Sequence, residues 1–306
     1  MVRRRSKGRD VNGIILLDKP SGMSSNAALQ TVKRLFKASK AGHTGNLDPL
    51  ATGLLPICFG EATKISSFLL DSDKRYIGTC KLGIRTSTAD SEGEILETRP
   101  VGQLTEQQVR QVLQRFIGEI EQVPPMHSAV KVNGTPLYKL AREGKEIERK
   151  SRRIRIYQIE LLRLEGDELE IAIHCSKGTY VRTLTEEIGT ALGCGAHLSA
   201  LRRTASGPFA LEQAMTLPEL EHLAEDGYEA LDNLLLPPEE ALCDWPMVSL
   251  SDNSAYYVQQ GQAVQVPLAP TSGWVRLQRD DGRFLGIGQI LADGRVAPKR
   301  LFKATQ

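Results

Sequence analysis

The sequence lacks long hydrophobic runs. Its 306 residues contain no apolar stretch near the roughly 20 residues that cross a bilayer. The basic N-terminus is not followed by the apolar segment of a signal peptide. We therefore expect no membrane association and a cytoplasmic protein. With 41% hydrophobic and 25% charged residues, the composition is typical of a globular chain with one large domain or two unequal ones.

Cysteine is also scarce. The five cysteines are scattered and odd in number, and no two form a Cys-x-x-Cys pair, which disfavours a disulfide framework and a zinc ribbon. His174-Cys175 with Cys194-x-x-His197 could be imagined as a metal site. Its spacing favours a buried thiol and two ordinary histidines instead. We expect no metal.

Common catalytic motifs are missing. There is no Walker loop, no G-x-S-x-G and no H-E-x-x-H, and Gly286-x-Gly288 lacks the third glycine of a dinucleotide fingerprint. The sequence therefore gives no support to an enzyme that uses a nucleotide cofactor or a metal. Any catalysis would rest on side chains alone.

Lysine and arginine are absent from residues 204–275, which hold 11 acidic residues. The rest of the chain carries all 39 basic residues against 26 acidic ones, a net charge of +13. Residues 139–155 alone contain eight basic and three acidic residues. This asymmetry suggests a polyanionic partner, and a solvated charged surface is the alternative. For residues 139–155 we favour an arm that binds phosphates over a solvated helix.

Strands and helices follow one another irregularly, which indicates a mixed α+β fold. Residues 12–18 are typical of a buried strand, and residues 154–164 and 169–175 of a hairpin. Helices are predicted over residues 61–70 and 183–192.

Capping residues mark two further helix starts. Ser24 or Ser25 can cap a helix, and Thr105 with Gln108 forms a capping box for another. The first helix is predicted to bury an apolar face, Leu29, Val32 and Phe36.

Two domains are expected, residues 1–247 and a small all-β unit over residues 248–306. An insertion over about 124–152 begins with Pro124-Pro125 and contains Asn133-Gly134.

Residues 42–56 are the most informative segment. They are predicted to form a shaped loop, neither helix nor regular strand, that holds one acid, Asp48. Pro49 forces Asp48 toward an extended conformation. Three glycines permit backbone angles that other residues resist: Gly42, Gly45 and Gly53.

Asp48 needs a nearby cation if it is to act as an ionised nucleophile or base. Arg182 is the candidate, and if residues 180–182 are extended, Tyr180 and Arg182 face the same side. From these residues alone, a turn acid and a surface cation remain the simpler interpretation.

Residues 42–56 resemble the signature of the TruB-type tRNA pseudouridine-55 synthases. Further blocks match that family in order and spacing across residues 10–210, and the C-terminal unit resembles the family's PUA-type domain. The matching blocks are residues 13–25, 60–64, 73–76, 175–182, 193–198 and 201–204.

The resemblance implies an isomerase that converts uridine-55 in the T-loop of transfer RNA to pseudouridine without a cofactor. Asp48 would be the catalytic carboxylate. Whether it attacks the sugar, attacks the base or removes a sugar proton stays open. Arg182 would keep Asp48 ionised, and Tyr76 would stack on the base and help to remove the C5 proton.

The resemblance also assigns residues that bind substrate, because the target base must be flipped out of the folded T-loop. Tyr180 and Leu201 would form walls of the pocket, and Lys19 would support it. His43 would occupy the space that the nucleotide leaves, and Lys64 would contact the RNA backbone. Without the resemblance, His43 is more simply a loop histidine bonded to its own backbone.

Two positions depart from the family pattern. Asn46 stands where a small residue is commoner, and His127 stands where tyrosine is expected. Neither removes a catalytic group, so activity is still expected.

The implied fold is a mixed, largely antiparallel sheet core with flanking helices, a thumb-like insertion and the C-terminal unit. The implied partner is the T-arm of transfer RNA, with phosphate contacts from residues 3–9 and 139–155. No membrane and no protein partner are expected, and the expected state is a monomer. One rival is a guide-RNA-directed synthase of the dyskerin type. The thumb-like insertion argues against it, and so does the lack of long terminal extensions. A second rival, an RNA-folding chaperone without catalysis, is disfavoured by the intact set of Asp48, Tyr76 and Arg182.

Overall fold

The computed structural model describes residues 8–128, 130–132 and 134–303, apart from the side chain of residue 142. Most of the basic N-terminal run, residues 3–7, and Asn133 of the predicted turn lie outside these ranges. Within them, no helix has the length and apolarity needed to span a bilayer.

The described residues form a mixed α+β structure, as predicted. The strands are β1 Gly13–Lys19, β2 Ala41–His43, β3 Thr52–Phe59, β4 Lys74–Leu82, β5 Ile84–Thr86, β6 Ile95–Thr98, β7 Gly118–Gln122, β8 Lys131–Val132, β9 Thr135–Pro136, β10 Arg152–Glu165, β11 Glu168–Cys175, β12 Ala196–Ser206, β13 Phe209–Ala210, β14 Met215–Thr216, β15 Met247–Leu250, β16 Trp274–Arg279, β17 Phe284–Ile290 and β18 Val296–Leu301. The α-helices are α1 Ser25–Leu35, α2 Ser66–Leu70, α3 Glu106–Gln114, α4 Leu137–Arg142, α5 Val181–Ala191, α6 Leu217–Glu225, α7 Tyr228–Asp232 and α8 Asp252–Gln259. Short 3₁₀ helices cover Gly60–Lys64, Leu211–Gln213 and Pro238–Leu242.

One large sheet organises the body of the protein. Its order is β14-β1-β3-β12-β4-β11-β10-β7, with β2 added to β3 and β13 added to β12. Only the β1–β14 and β3–β12 pairs are parallel among these strands. The pairing places β3, β12 and β4 side by side near the centre, and two predicted site residues lie on these strands, Tyr76 on β4 and Leu201 on β12.

Local sequence signals account for several of these elements. The Ser24 hydroxyl accepts from the backbone N–H of Ala27 at 3.1 Å and so caps α1, and the predicted apolar face of that helix is buried. The Thr105–Gln108 capping box begins α3, as predicted. The hairpin β10–β11 is also confirmed, because alternate residues of β11 are buried in the core: Leu169, Ile171, Ile173 and Cys175.

Three local predictions were wrong. The predicted helix over 61–70 is two short helices. The Thr63 hydroxyl donates to Gly60 O at 2.7 Å, and the Ser66 hydroxyl donates to Thr63 O at 2.8 Å. These hydroxyls compete with backbone N–H groups for the carbonyl acceptors and so interrupt the helix. Residues 42–56 are a loop only in their middle, because β2 and β3 contain the two ends. Residues 180–182 are not one extended run, since α5 begins at Val181 and Tyr180 is its N-cap.

The insertion contains the β8–β9 pair followed by α4, and it lies at one side of a cavity described below. The C-terminal sheet has the order β15-β16-β17-β18 and its own apolar core with α8. Ile287 of β17 packs instead against the large body, in a cluster with Ile14 and Cys58. The C-terminal unit is therefore docked on the sheet that carries the site.

Gly53 tests how tightly the centre of the sheet is packed. Its φ is +99°, and a Cβ there would lie 2.4 Å from the backbone oxygen of Arg203. We expect Gly53→Ala to cost about 2 kcal/mol or more, because the new methyl group separates β3 from β12. Gly42→Ala is the matched control, because no atom lies within 4 Å of its Cβ position and its φ is not positive. Urea unfolding measures both, and equal stabilities would contradict this packing.

Candidate active site

A cavity of about 660 Å³ opens beside the centre of the sheet. Five of the eight predicted site residues line it, although they come from distant parts of the chain: Asp48, Tyr76, Tyr180, Arg182 and Leu201. The three others, Lys19, His43 and Lys64, are not among the lining residues.

Asp48 and Arg182 form an ion pair in this cavity. Arg182 Nε lies 2.9 Å from Asp48 Oδ2, and Arg182 Nη2 donates to Asp48 Oδ1 at 3.4 Å. The Arg182 side chain is only 4% exposed, whereas that of Asp48 is 37% exposed. The guanidinium is thus fixed in the protein while the carboxylate remains reachable from the cavity. This geometry suits a carboxylate that attacks a substrate or takes a proton from it.

Asp90 is a second partner of Arg182 that the sequence did not indicate. Arg182 Nη1 lies 3.3 Å from Asp90 Oδ2, and the Asp90 side chain is 4% exposed. Asp90 is itself held by the Thr88 hydroxyl and by the backbone N–H of Glu92 at 3.1 Å. The buried arginine is therefore shared by a buried acid and an accessible one. The sequence of residues 86–94 is typical of a polar turn, and nothing in that pattern distinguishes Asp90.

The remaining hydrogen atoms of Arg182 go to carbonyl groups. Nη1 donates to Thr88 O at 3.2 Å, and Nη2 donates to His127 O at 2.8 Å. His127 departs from the family pattern in its side chain, but its contribution here is a backbone carbonyl. The insertion thus touches the arginine that holds Asp48.

The Asp48 loop is anchored by the last residue of β1 and the first residue of α1. Lys19 is fully buried, and its ammonium donates to the carbonyls of Pro20 and Met23, each at 2.7 Å, and of Pro49 at 3.5 Å. Burial lowers the pKa of Lys19 to about 8. The Ser25 hydroxyl bonds both backbone groups of Leu47, accepting from N–H at 2.7 Å and donating to the carbonyl at 3.0 Å. These contacts place Lys19 in a supporting position rather than in the cavity.

Tyr180 is held by a residue that the sequence did not single out. Gln122 of β7 is 2% exposed. Its side-chain amide donates to Tyr180 O at 3.1 Å and accepts from Tyr180 N–H at 2.7 Å. This clamp fixes the N-cap of α5 and, through the helix, the position of Arg182 in its first turn.

Arg203 was noted only as part of a sequence block, yet it lies under the cavity and is 1% exposed. Its guanidinium donates to three carbonyls, those of Leu54 at 2.7 Å, Gly45 at 3.3 Å and Asn46 at 3.4 Å. Asn46 thus contributes its backbone to this contact. Arg203 links β12 to the loop that carries Asp48.

His43 and Lys64 lie outside the cavity lining. Burial lowers the pKa of His43, and its Nδ1 is buried without a hydrogen-bond partner among the described residues. Lys64 forms an ion pair with Glu61 and donates to Leu301 O at 2.7 Å. Lys64 therefore joins the large body to the C-terminal unit in this structure.

No group of three or more His, Cys, Asp or Glu side chains in the described ranges is arranged to hold a metal ion. Cys175 and Cys194 are both buried, and burial raises the pKa of the Cys175 thiol to about 11.

The environment of Asp48 predicts how the reaction rate depends on pH. Burial raises the pKa of Asp48 above its ordinary value of 3.8, and the adjacent Arg182 opposes the rise without cancelling it. If the ionised form is the active one, the rate falls as the pH drops through this raised pKa. The single-turnover rate of the catalysed reaction, measured between pH 4 and pH 7, should therefore fall at a higher pH than it would if Asp48 had the pKa of an ordinary aspartate. A constant rate down to the pH at which the protein unfolds would contradict this.

The comparisons with known proteins cover nearly the whole chain. Residues 33–181 match the TruB family pseudouridylate synthase (N terminal domain). Residues 182–243 match the tRNA pseudouridylate synthase B C-terminal domain, and residues 246–302 match the C-terminal domain of pseudouridine synthase II TruB.

Similar proteins called tRNA pseudouridine synthase B occur in several bacteria. That of Nitrosococcus oceani is 57% identical over 299 residues, which cover 98% of this chain and 97% of the relative. That of Stutzerimonas stutzeri is 57% identical over 305 residues and covers 99% and 100%, respectively.

Solved structures share the fold. A chain in the crystal structure of a Cbf5-Nop10-Gar1 complex is 30% identical, with a TM-score of 0.75, and the match covers 95% of this chain and 85% of that one. A chain of an H/ACA RNP bound to a substrate RNA containing 2′-deoxyuridine is 27% identical, with a TM-score of 0.74 and the same coverage. With family matches along its length and relatives at 57% identity, the protein belongs to the TruB family of pseudouridylate synthases.

Proposed function

We propose that this protein isomerises uridine to pseudouridine at position 55 in the T-loop of transfer RNA, without a cofactor. The observation that carries the proposal is the reachable carboxylate of Asp48, held at 2.9 Å by a buried arginine in an open cavity. The names of its relatives, tRNA pseudouridine synthase B, support the substrate class.

The reaction is balanced without a second substrate. The bond between N1 and C1′ breaks, the base rotates, a bond forms between C5 and C1′, and the proton of C5 is replaced by a proton on N1. Asp48 acts at the sugar or at the base while Arg182 holds its carboxylate in place. Effective positioning of this kind supplies a large part of the rate enhancement in many enzymes.

The other predicted residues act on the flipped nucleotide. We assign Tyr76, Tyr180 and Leu201 to the walls around the base, because all three line the cavity. Lys19 supports the Asp48 loop from below. We retain His43 as the residue that fills the space left by the nucleotide. We also retain Lys64 as a contact to the RNA backbone, made at the junction of the two units.

We further propose the division into a catalytic domain, residues 1–247, and a PUA-type domain, residues 248–306. The four-stranded sheet that runs from Met247 to Leu301 supports it. Action as a monomer in the cytoplasm, without a protein partner, belongs to the same proposal.

The basic strand β10 supports an RNA-binding face next to the cavity. Arg153 and Arg155 are exposed there, and the backbone of Arg155 bonds to Ser176, which lines the cavity. Elsewhere in the predicted arm, Arg149 donates to Pro124 O at 3.2 Å and so has a structural role. At the N-terminus, Arg9 pairs with Asp232.

Neutralising Arg153 and Arg155 with glutamine should lower the steepness of the salt dependence of tRNA binding. Each lost phosphate contact reduces the slope of log K against log salt by about 0.7 to 0.9. The control removes the same charge from Arg110 and Arg163, which pair with glutamates. Binding is measured by filter retention between about 50 and 200 mM salt. An unchanged slope in the variant without the Arg153 and Arg155 charges would show that β10 does not contact the RNA phosphates.

The rival function is a synthase that needs a guide RNA and partner proteins. A structurally similar chain occurs in a Cbf5-Nop10-Gar1 complex. The deciding experiment mixes the purified chain alone with a T-arm stem-loop whose uridines carry tritium at C5. Release of tritium supports the standalone enzyme. No tritium release at high protein concentration, with RNA binding intact, would favour the hypothesis of a guide-dependent synthase or of a chaperone.

A further inference from the structure

Helix α1 has an exposed face that starts at the cavity. Asn26, in the first turn of the helix, is exposed and lines the cavity. Gln30 and Lys33 follow it by one and two helical turns, so the three side chains share one face, and Lys37 comes directly after the end of the helix. Because a helix rises about 1.5 Å per residue, this face leads from the cavity to a point about 16 Å away.

The segment around α1 is positively charged. Residues 19–47 contain five basic residues and no acidic one. Among the described residues, no carboxylate oxygen lies within 4 Å of the ammonium groups of Lys33 and Lys37. Lys33 lies in the last turn of α1, where a cation also interacts favourably with the helix dipole. A solvated helix end is therefore the alternative to a binding surface.

The backbone of Lys37 favours a binding surface. The helix ends in a Schellman motif, in which Lys37 N–H donates to Arg34 O at 2.9 Å and Ala38 N–H donates to Lys33 O at 3.0 Å. The φ angle of Lys37 is +48°, a left-handed conformation in which glycine is the usual residue of this motif. A lysine in this conformation is strained where a glycine is not. Termination of the helix therefore does not explain why a cation stands here.

We propose that the α1 ridge, formed by Asn26, Gln30, Lys33 and Lys37, binds the RNA strand that leads away from the flipped nucleotide, with both lysines on its phosphates. The inference rests on the proposed function, which puts the target uridine of the T-arm in the cavity. Stacked nucleotides are about 3.4 Å apart along a strand, so the ridge covers about four or five of them. A stretch this short lies within the T-arm, which is therefore the partner.

The first test removes charge from the ridge. Lys33→Gln with Lys37→Gln should weaken binding of a T-arm stem-loop by about tenfold or more at about 0.1 M salt. The slope of log K against log salt should fall by about 1.4 to 1.8, twice the value for one phosphate contact. Binding is measured by filter retention between about 50 and 200 mM salt, and thermal unfolding verifies the fold. Arg110→Gln with Arg163→Gln, a control that removes cations paired with glutamates, should keep the parent slope.

The second test adds charge to the ridge. Gln30 is exposed in the middle of α1, away from the ends at which the helix dipole acts. Gln30→Lys should tighten binding of the T-arm by about fivefold and increase the slope by about 0.7 to 0.9. Gln111→Lys is the matched control, because Gln111 is also exposed on a helix, α3, and does not line the cavity. This control should bind like the parent.

Lys37→Gly separates RNA binding from helix termination. Glycine adopts the left-handed conformation without strain, so the midpoint of urea unfolding should not decrease. The affinity for the T-arm should nevertheless fall by about fivefold, because one phosphate contact is lost. If Lys37 served only the end of the helix, the affinity would stay at the parent value, and that result would overturn its place in the ridge.

An unchanged salt slope in Lys33→Gln with Lys37→Gln would overturn the proposal, and so would equal affinities of Gln30→Lys and Gln111→Lys. A loss of affinity for complete tRNA without a loss for the T-arm stem-loop would also overturn it, because the ridge would then contact another part of the RNA. All these outcomes depend on binding alone. A parent protein that binds the T-arm but releases no tritium from C5 would instead refute the proposed function.

Discussion

Asp48→Asn should lower the single-turnover rate of pseudouridine formation by about 10⁴-fold or more, because it removes the exposed carboxylate that Arg182 holds in the cavity as nucleophile or base. The amide has the same shape and can still accept a hydrogen bond from the guanidinium. Affinity for tRNA should therefore stay within about threefold, since phosphate contacts supply most of it.

A matched control is available in Asp18, which also pairs with an arginine through both oxygens, at 3.2 and 2.6 Å from Arg202, but does not line the cavity. Asp18→Asn should keep the rate within about threefold. Both variants are followed by tritium release and by filter binding. Turnover by Asp48→Asn near the parent rate would show that another group performs the chemistry.

Arg182→Met should lower the free energy of unfolding by about 3–5 kcal/mol, because it leaves Asp90, 4% exposed, without its cation. The same change should abolish activity, because Asp48 loses the group that fixes its position. Urea unfolding measures the first effect, and tritium release measures the second.

The double variant Arg182→Met with Asp90→Asn separates the two effects. Removing the stranded charge should recover a large part of the stability, since the two residues form one coupled unit. Activity should stay absent, because Asp48 is still without Arg182. Equal stability of the single and double variants would show that the Arg182–Asp90 contact is not a major source of stability.

Much of the fold could be predicted from local patterns. Strand β11 of the hairpin follows from its strict alternation, and the starts of α1 and α3 follow from their capping residues. These features depend on residues a few positions apart, so a short window of sequence contains the required information.

The pairing of Asp48 with Arg182 spans 134 residues. The residues alone made Arg182 only a candidate partner, and the family resemblance turned that candidate into an expectation. Asp90, Gln122 and Arg203 carried no such signal, because their contacts at the cavity are tertiary ones with backbone groups or with Arg182. The sequence does not reveal that a glutamine at the end of a strand will bond the backbone of a distant helix N-cap residue, as Gln122 does with Tyr180. The break in the helix predicted over 61–70 was missed for a similar reason, because side-chain hydroxyls compete there with the backbone.

The central claim is isomerisation at one uridine of transfer RNA by this chain alone. The most direct measurement is tritium release from a complete, unmodified tRNA transcript labelled at C5 of its uridines, compared with the same transcript carrying cytidine at position 55. The account predicts release of about one equivalent per tRNA from the first transcript and none from the second. Equal release from both transcripts, or none from either while binding persists, would contradict it.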